Sequence, residues 1–184
     1  MNHTVKVESL PEMEFLVIKG YRKLYDPGVT GKNEDVLRQS ITNGSLERLK
    51  TTAQSETVYI LFCNTCVRDE NEKCYTCGYD IACDNYSVQK AVNEFEVVKL
   101  KSCEYVVYDC EFLDETTLQD AHEKTDKLFW NVWLKENPYV CAIDEPENWR
   151  DNGFAAIEMY TPLDPEANKF HAKFYYPILQ KNTV

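Results

Sequence analysis

The feature that most constrains this 184-residue chain is that it repeats itself. The segment Val7–Ile18, VESLPEMEFLVI, aligns 90 residues later with Val97–Tyr108, VVKLKSCEYVVY. Each copy holds an alternating segment and then a polar break around Pro11 or Ser102. A β-branched and aromatic segment follows, opening Glu-Phe or Glu-Tyr, so each copy reads as two consecutive strands. A helical stretch comes after each. The first runs from about Asn33 to Thr52, with Asn43-Gly44-Ser45 as an interruption and new N-cap. The second, Thr117 to Glu136, sets Leu118, Ala121, Thr125, Leu128, Phe129 and Val132 on one face at spacings of three and four. Two strands then close each half: Thr57–Cys63 and Cys77–Cys83 in the first, Phe154–Tyr160 and Phe170–Tyr176 in the second.

The order strand, helix, strand, strand thus occurs twice, which predicts an α+β fold. We expect one domain over residues 1–184, with repeats spanning roughly 3–90 and 93–180. Two pseudo-symmetric units would pack their antiparallel sheets about a pseudo-twofold axis. Matching strands would meet at the junction, where ligand clefts commonly form.

Charge narrows the partners. Asp and Glu outnumber Lys and Arg by 31 to 20, a formal net charge of -11, and such a field repels phosphate backbones and anionic lipid. Direct nucleic-acid binding is therefore not expected. No apolar run is long enough to span a membrane as a helix, and the start MNHTVKVESLPEM lacks a basic segment followed by an apolar one. The expected setting is the cytoplasm, where eight cysteines read as reduced thiols or metal ligands rather than a disulfide framework.

With these elements placed, an ordered set of short motifs along nearly the whole chain resembles the GyrI-like effector-binding family. The set opens with Val17-Ile18-Lys19-Gly20 and Val58-Tyr59-Ile60-Leu61. Tyr79-Asp80-Ile81-Ala82-Cys83 resembles the family's aromatic-x-Ile-Gly-Val strand, and Cys103–Tyr108 its Gly-x-Tyr-Ala-Val-Phe strand. Trp130 to Leu134 resembles the helix end with its Trp-Leu pair. Ile157-Glu158-Met159-Tyr160 resembles Phe-Glu-x-Tyr, and Phe174–Ile178 the closing Ile-Tyr-Ile-Pro-Ile. The family includes ligand-sensing domains of AraC- and MerR-type multidrug regulators and free-standing proteins. This chain departs from its pattern at Lys173, where members often carry Glu, and in the cysteines crowding the first-half hairpin. No helix-turn-helix precedes the first strand either, so the resemblance implies a free-standing ligand binder or small enzyme.

One carboxylate stands out. Strand period two puts Phe154, Ala156, Glu158 and Tyr160 on one face, and the apolar set Ala155, Ile157 and Met159 on the other. The second set suits packing under helices. The first reads either as a solvated strand face or as a pocket floor, and the resemblance implies the floor, with Glu158 at the base of a ligand cavity. A partly desolvated carboxylate among aromatic faces suits a weakly hydrated organic cation, or it can be held protonated as a general acid. Tyr59, Tyr79, Tyr105 and Trp133 are candidates for an aromatic cage with Phe154 and Tyr160. For any one of these, ordinary core packing is the plainer reading. His122 is expected to lie mid-helix facing solvent, and His171 on a late strand.

Cys63, Cys66, Cys74 and Cys77 form CxxC-x7-CxxC between two predicted strands. In a hairpin symmetric about Glu70, Cys66 faces Cys74 and Cys63 faces Cys77. Four thiolates so placed can hold a structural Zn²⁺ with no open position for catalysis. Free cysteines acting as small hydrophobes are the alternative. No other cofactor is required. There is also no phosphate-cradling glycine loop, GxSxG elbow or HExxH helix.

The reading that fits best is a binder of amphipathic, cationic aromatic small molecules. The runner-up implied by the resemblance is a small hydrolase of strained cyclopropanoid rings working through Glu158. A third is a protein-partner inhibitor of the gyrase-inhibitor type.

Overall fold

The computed structural model describes residues 3–25, 36–69, 74–84, 94–143, 153–164 and 169–181. The first half runs β1 (His3–Leu10), β2 (Met13–Ile18), β3 (Tyr21–Tyr25), α1 (Val36–Thr42), α2 (Ser45–Ala53), β4 (Val58–Asp69) and β5 (Cys74–Asp84). The second runs β6 (Glu96–Leu100), β7 (Cys103–Asp114), α3 (Glu115–Leu128), a π turn (Phe129–Trp133), α4 (Leu134–Glu136), β8 (Tyr139–Cys141), β9 (Ala156–Asp164) and β10 (Lys169–Gln180). The breaks after Leu10 and Leu100 fall 90 residues apart, as the repeat requires. Gly44 takes φ 73°, the left-handed conformation that glycine adopts freely, and there α1 ends and α2 begins.

The strands form one antiparallel sheet in the order β1-β7-β10-β9-β4-β5-β2-β6, with β3 on β5 and β8 on β10. Among the described residues the sheet joins the repeats in two places. At the sheet centre β4 pairs with β9, Ile60 facing Glu158. At the margins Leu10 faces Cys103 and Met13 faces Leu100, so the β1/β7 and β2/β6 ladders continue in one register across both polar breaks. Exchanging the halves turns one of these pairs into the other, which is the expected twofold relation.

A second interruption has its own plug. β2 and β3 pair with β5 in a common register, from Ile18 facing Ile81 to Tyr21 facing Gly78. Asp80, buried at 1% exposure, fills the step between them. It accepts a hydrogen bond from the Gly20 N–H at 3.2 Å and an ion pair from Lys19 Nζ at 3.0 Å. Charged residues within β3 and the three-residue length of β8 hide both strands from pattern reading.

The helices cover the face opposite to the one expected. Leu49 and Ala53 of α2 pack on Leu16, Ile60, Ile81 and Cys83, while Ala121 of α3 and Phe129 pack among Tyr108, Phe174 and Tyr176. Across the ladders Glu158 faces Ile60 and Phe174, so it shares the helix side. Ala155 and Ile157 lie on the other side with Phe15, Val17, Leu61, Tyr105 and Val107, a cluster to which no described helix contributes. Strands from both ends of the sheet order meet in that cluster. The sheet therefore curves over this face and buries it against itself. Strand parity separates two faces without saying which one a helix will cover.

Candidate functional site

Glu158 sits on β9 at the centre of the sheet, 8% exposed, one of four buried polar or charged residues among those described. A carboxylate this far from water needs donors, and it has them. The Tyr160 hydroxyl donates to Oε2 at 2.6 Å. His122 Nε2, from α3, lies 3.1 Å from Oε1. Two residues apart on one strand, Glu158 and Tyr160 point the same way, as the period of two requires. Tyr160 packs against the α2 core and the α3 core alike and so marks the seam between the repeats on the helix side. Burial, and then the adjacent Glu158 charge, push its phenol well above the ordinary tyrosine range. Tyr160 is thus a neutral donor at any ordinary pH.

Aromatic rings border the carboxylate. The imidazole of His122 stacks on Phe174, centroids 5.6 Å apart and planes 24° apart, and Tyr160 meets the same ring edge-on at 6.4 Å. Beneath α3, Phe129 stacks on Tyr176 at 4.2 Å and on Trp133 at 6.1 Å. The π turn carries Phe129, Trp130 and Trp133 at its start, second position and end. A π turn widens a helix by one residue per turn and is frequent at functional sites. The Tyr176 hydroxyl is 3.5 Å from Thr125 Oγ1, which in turn donates to the His122 carbonyl at 2.9 Å.

The structure divides the expected cage between two faces. Tyr160, Tyr79 and Trp133 lie on the helix side with Glu158, Tyr79 in the α2 core and Trp133 in the α3 core. Tyr59 and Tyr105 lie on the curved, helix-free side. There the Tyr59 hydroxyl donates to Asp84 at 2.8 Å, and the Tyr105 hydroxyl is buried without a hydrogen-bond partner among the described residues. Phe154 precedes β9 and so escapes its alternation, packing against the helix-free cluster with Lys101 Nζ 5.4 Å above its ring.

His122 is the correction that matters most: it faces Glu158 rather than solvent. The signal was in the sequence, because position 122 is four after Leu118 and seven before Phe129, on the apolar face of the helix. Phe174 was hidden for another reason, since placing it opposite Glu158 requires the β9/β10 register. His171 binds Asp109, which Lys173 also reaches at 3.1 Å.

The side chains of Cys63, Cys66, Cys74 and Cys77, and with them the zinc reading, lie outside the described residues. The backbone register is described and differs from the symmetric hairpin. Cys66 faces Cys77 and Cys74 faces Asp69, because a bulge between Phe62 and Cys66 takes up two extra residues on β4. The remaining cysteines, Cys83, Cys103, Cys110 and Cys141, are buried and outside any disulfide.

No family model matches this sequence, and no curated protein matches it. Solved structures do. SAV2435 bound to tetraphenylphosphonium superposes with a TM-score of 0.61 at 12% identity, covering 96% of this chain and 94% of that one. An integron cassette protein from the mobile metagenome of Vibrio cholerae gives 0.57 at 11% identity, covering 97% and 100%. The C-terminal domain of EcmrR gives 0.52 at 9% identity, covering 98% and 99%. At such identities the likeness is one of fold, and it spans both repeats. The chain has the fold its ordered strand motifs pointed to, that of the GyrI-like effector-binding domains.

Proposed function

We propose that this chain is a cytoplasmic effector-binding protein that takes amphipathic, cationic aromatic small molecules on the helix side of the sheet. Glu158 supplies the countercharge, with Tyr160 and Phe174 beside it and Tyr79 and Trp133 on the same side of the sheet. The observation that carries this reading is the buried Glu158 carboxylate, held between a tyrosine hydroxyl and a histidine and flanked by Phe174. In a low-dielectric setting a delocalised cation gives up little hydration and gains both the carboxylate and the ring faces. The tetraphenylphosphonium bound to SAV2435, a protein of the same fold, supports that ligand class.

The test is tryptophan fluorescence titration with aromatic cations and neutral polycyclics, on wild type and Glu158→Gln. Cations are expected to bind, and the variant to lose about tenfold or more, roughly 1.4 kcal/mol. Equal binding by the variant would remove Glu158 from the site.

A second reading draws on the same geometry, since a carboxylate between a histidine and a tyrosine is also an acid–base set for activating water. Under that reading Glu158→Gln keeps most of its binding and loses turnover of a strained-ring substrate.

A further inference from the structure

In the structure both oxygens of Glu158 already have a partner, and the two partners differ in kind. Tyr160 is a fixed neutral donor. His122 is ionisable, and its side chain is 30% exposed against 11% for Glu158. His122 also covers Phe174, the ring that a cation over Glu158 would use. Carboxylate oxygen and ring face, the two things the reading above asks a ligand to find, are thus both taken by one imidazole. We propose that His122 occupies the cation subsite of the empty protein, so that an organic cation binds Glu158 by displacing it, in exchange for a proton when the imidazole is charged. This rests on Glu158 being the ligand carboxylate.

The chemistry is a competition. A protonated imidazole 3.1 Å from a buried carboxylate is a resident cation, and one carboxylate does not neutralise two cations in a low dielectric. A ligand cation arriving over Glu158 drives the imidazolium proton from Nε2 to solvent, and charge balances with one cation in and one proton out. Neutral imidazole yields at the cost of a single hydrogen bond. A permanent cation therefore binds less tightly against a protonated imidazole than against a neutral one. A neutral ligand shows no such difference.

The phenols and the thiol packed around the imidazole take no part in that dependence. On the elements packed against α3, the titratable groups on the helix side are Glu158 and Tyr160 of β9, Tyr176 of β10, and Tyr108 and Cys110 of β7. Burial raises all three phenols, Tyr108 to about 12, and lifts the Cys110 thiol to about 11, so none of these ionises below pH 9. On α3 itself Asp126 accepts from Trp130 Nε1 at 3.0 Å, and Glu123, Lys124 and Lys127 are exposed. His171 is bonded to Asp109 on another part of the sheet and is left in place in every variant tested.

The experiment measures tetraphenylphosphonium affinity by fluorescence and calorimetry from pH 5.5 to 8.5, at constant ionic strength, for wild type, His122→Gln and Glu158→Gln. Tetraphenylphosphonium suits it because its charge does not titrate. Wild-type affinity is expected to fall severalfold between pH 7.5 and 5.5, while His122→Gln stays within about twofold and binds more tightly than wild type at the acid end. Calorimetry in two buffers of different ionisation enthalpy should count close to one proton released per cation at pH 5.5 in wild type and none in His122→Gln. Parallel pH profiles in wild type and His122→Gln, with binding still dependent on Glu158, would overturn the exchange and leave the proposed function standing. No binding, or binding indifferent to Glu158→Gln, would remove both together.

Discussion

Replacing Tyr160 by Phe removes one oxygen and opens no cavity, yet the structure assigns it a large cost. The hydroxyl donates at 2.6 Å to Oε2 of a carboxylate whose side chain is 11% exposed. Without it, Oε2 is left buried with no donor among the described residues but the imidazole on the other oxygen. A hydrogen bond to a charged group contributes roughly 1.5–3 kcal/mol, so Tyr160→Phe should cost about 2 kcal/mol. For a chain of this size that corresponds to a fall in Tm of about 4–8 °C. The cost belongs to the pair and not to the ring. In a Glu158→Leu background the same change should therefore cost under ~0.5 kcal/mol, since the hydroxyl there has lost its acceptor. Urea denaturation of the four proteins at pH 7.5 gives the comparison. An equal cost of Tyr160→Phe in both backgrounds would refute the reasoning and reduce the contact to a coincidence of packing.

Three further outcomes follow from other parts of the molecule. Phe129→Ala should cost about 3–5 kcal/mol by chemical denaturation, because the fully buried ring stacks on both Tyr176 and Trp133, while Phe129→Leu should lose clearly less. Burial raises the Asp109 carboxyl, but hydrogen bonds from His171 and Lys173 more than offset it and hold the group below the usual carboxylate range. A lowered folded pKa gives stability that is present above the unfolded value of ~3.9 and lost as pH falls through the folded one. Asp109→Asn should therefore cost about 1–2 kcal/mol at pH 7, with the gap from wild type closing towards pH 3 in urea titrations. Burial lifts the thiols of Cys83 to about 12 and of Cys103 and Cys110 to about 11. At pH 8 this leaves roughly two-hundredfold less thiolate than a free cysteine at Cys103 and Cys110, and roughly two-thousandfold less at Cys83. Alkylation mapped by mass spectrometry should leave all three unmodified in the native protein and label them in urea.

Much of the architecture was legible in the sequence because it is written twice. The 90-residue offset placed the paired breaks at residues 11–12 and 101–102, and Gly44 marked the helix interruption through its own conformational freedom. Alternation in β9 set Glu158 and Tyr160 side by side, since parity is a local property. What could not be read is what depends on contacts between distant segments. The β4/β5 bulge shifts the cysteine pairing, and the curvature of the sheet decides which face the helices cover. Tyr59 and Tyr105 went to the other side for that reason. His122 is a different case. Its helical position put it on the apolar face, and the polarity of its side chain argued misleadingly for solvent.

The measurement that tests the central claim most directly is a crystal structure of this protein with tetraphenylphosphonium. The account predicts the cation on the helix side of β9, beside Glu158 and over Phe174, with the imidazole of His122 turned off Oε1. A cation held on the helix-free face against Tyr59 and Tyr105, with Glu158 and His122 still paired, would contradict it.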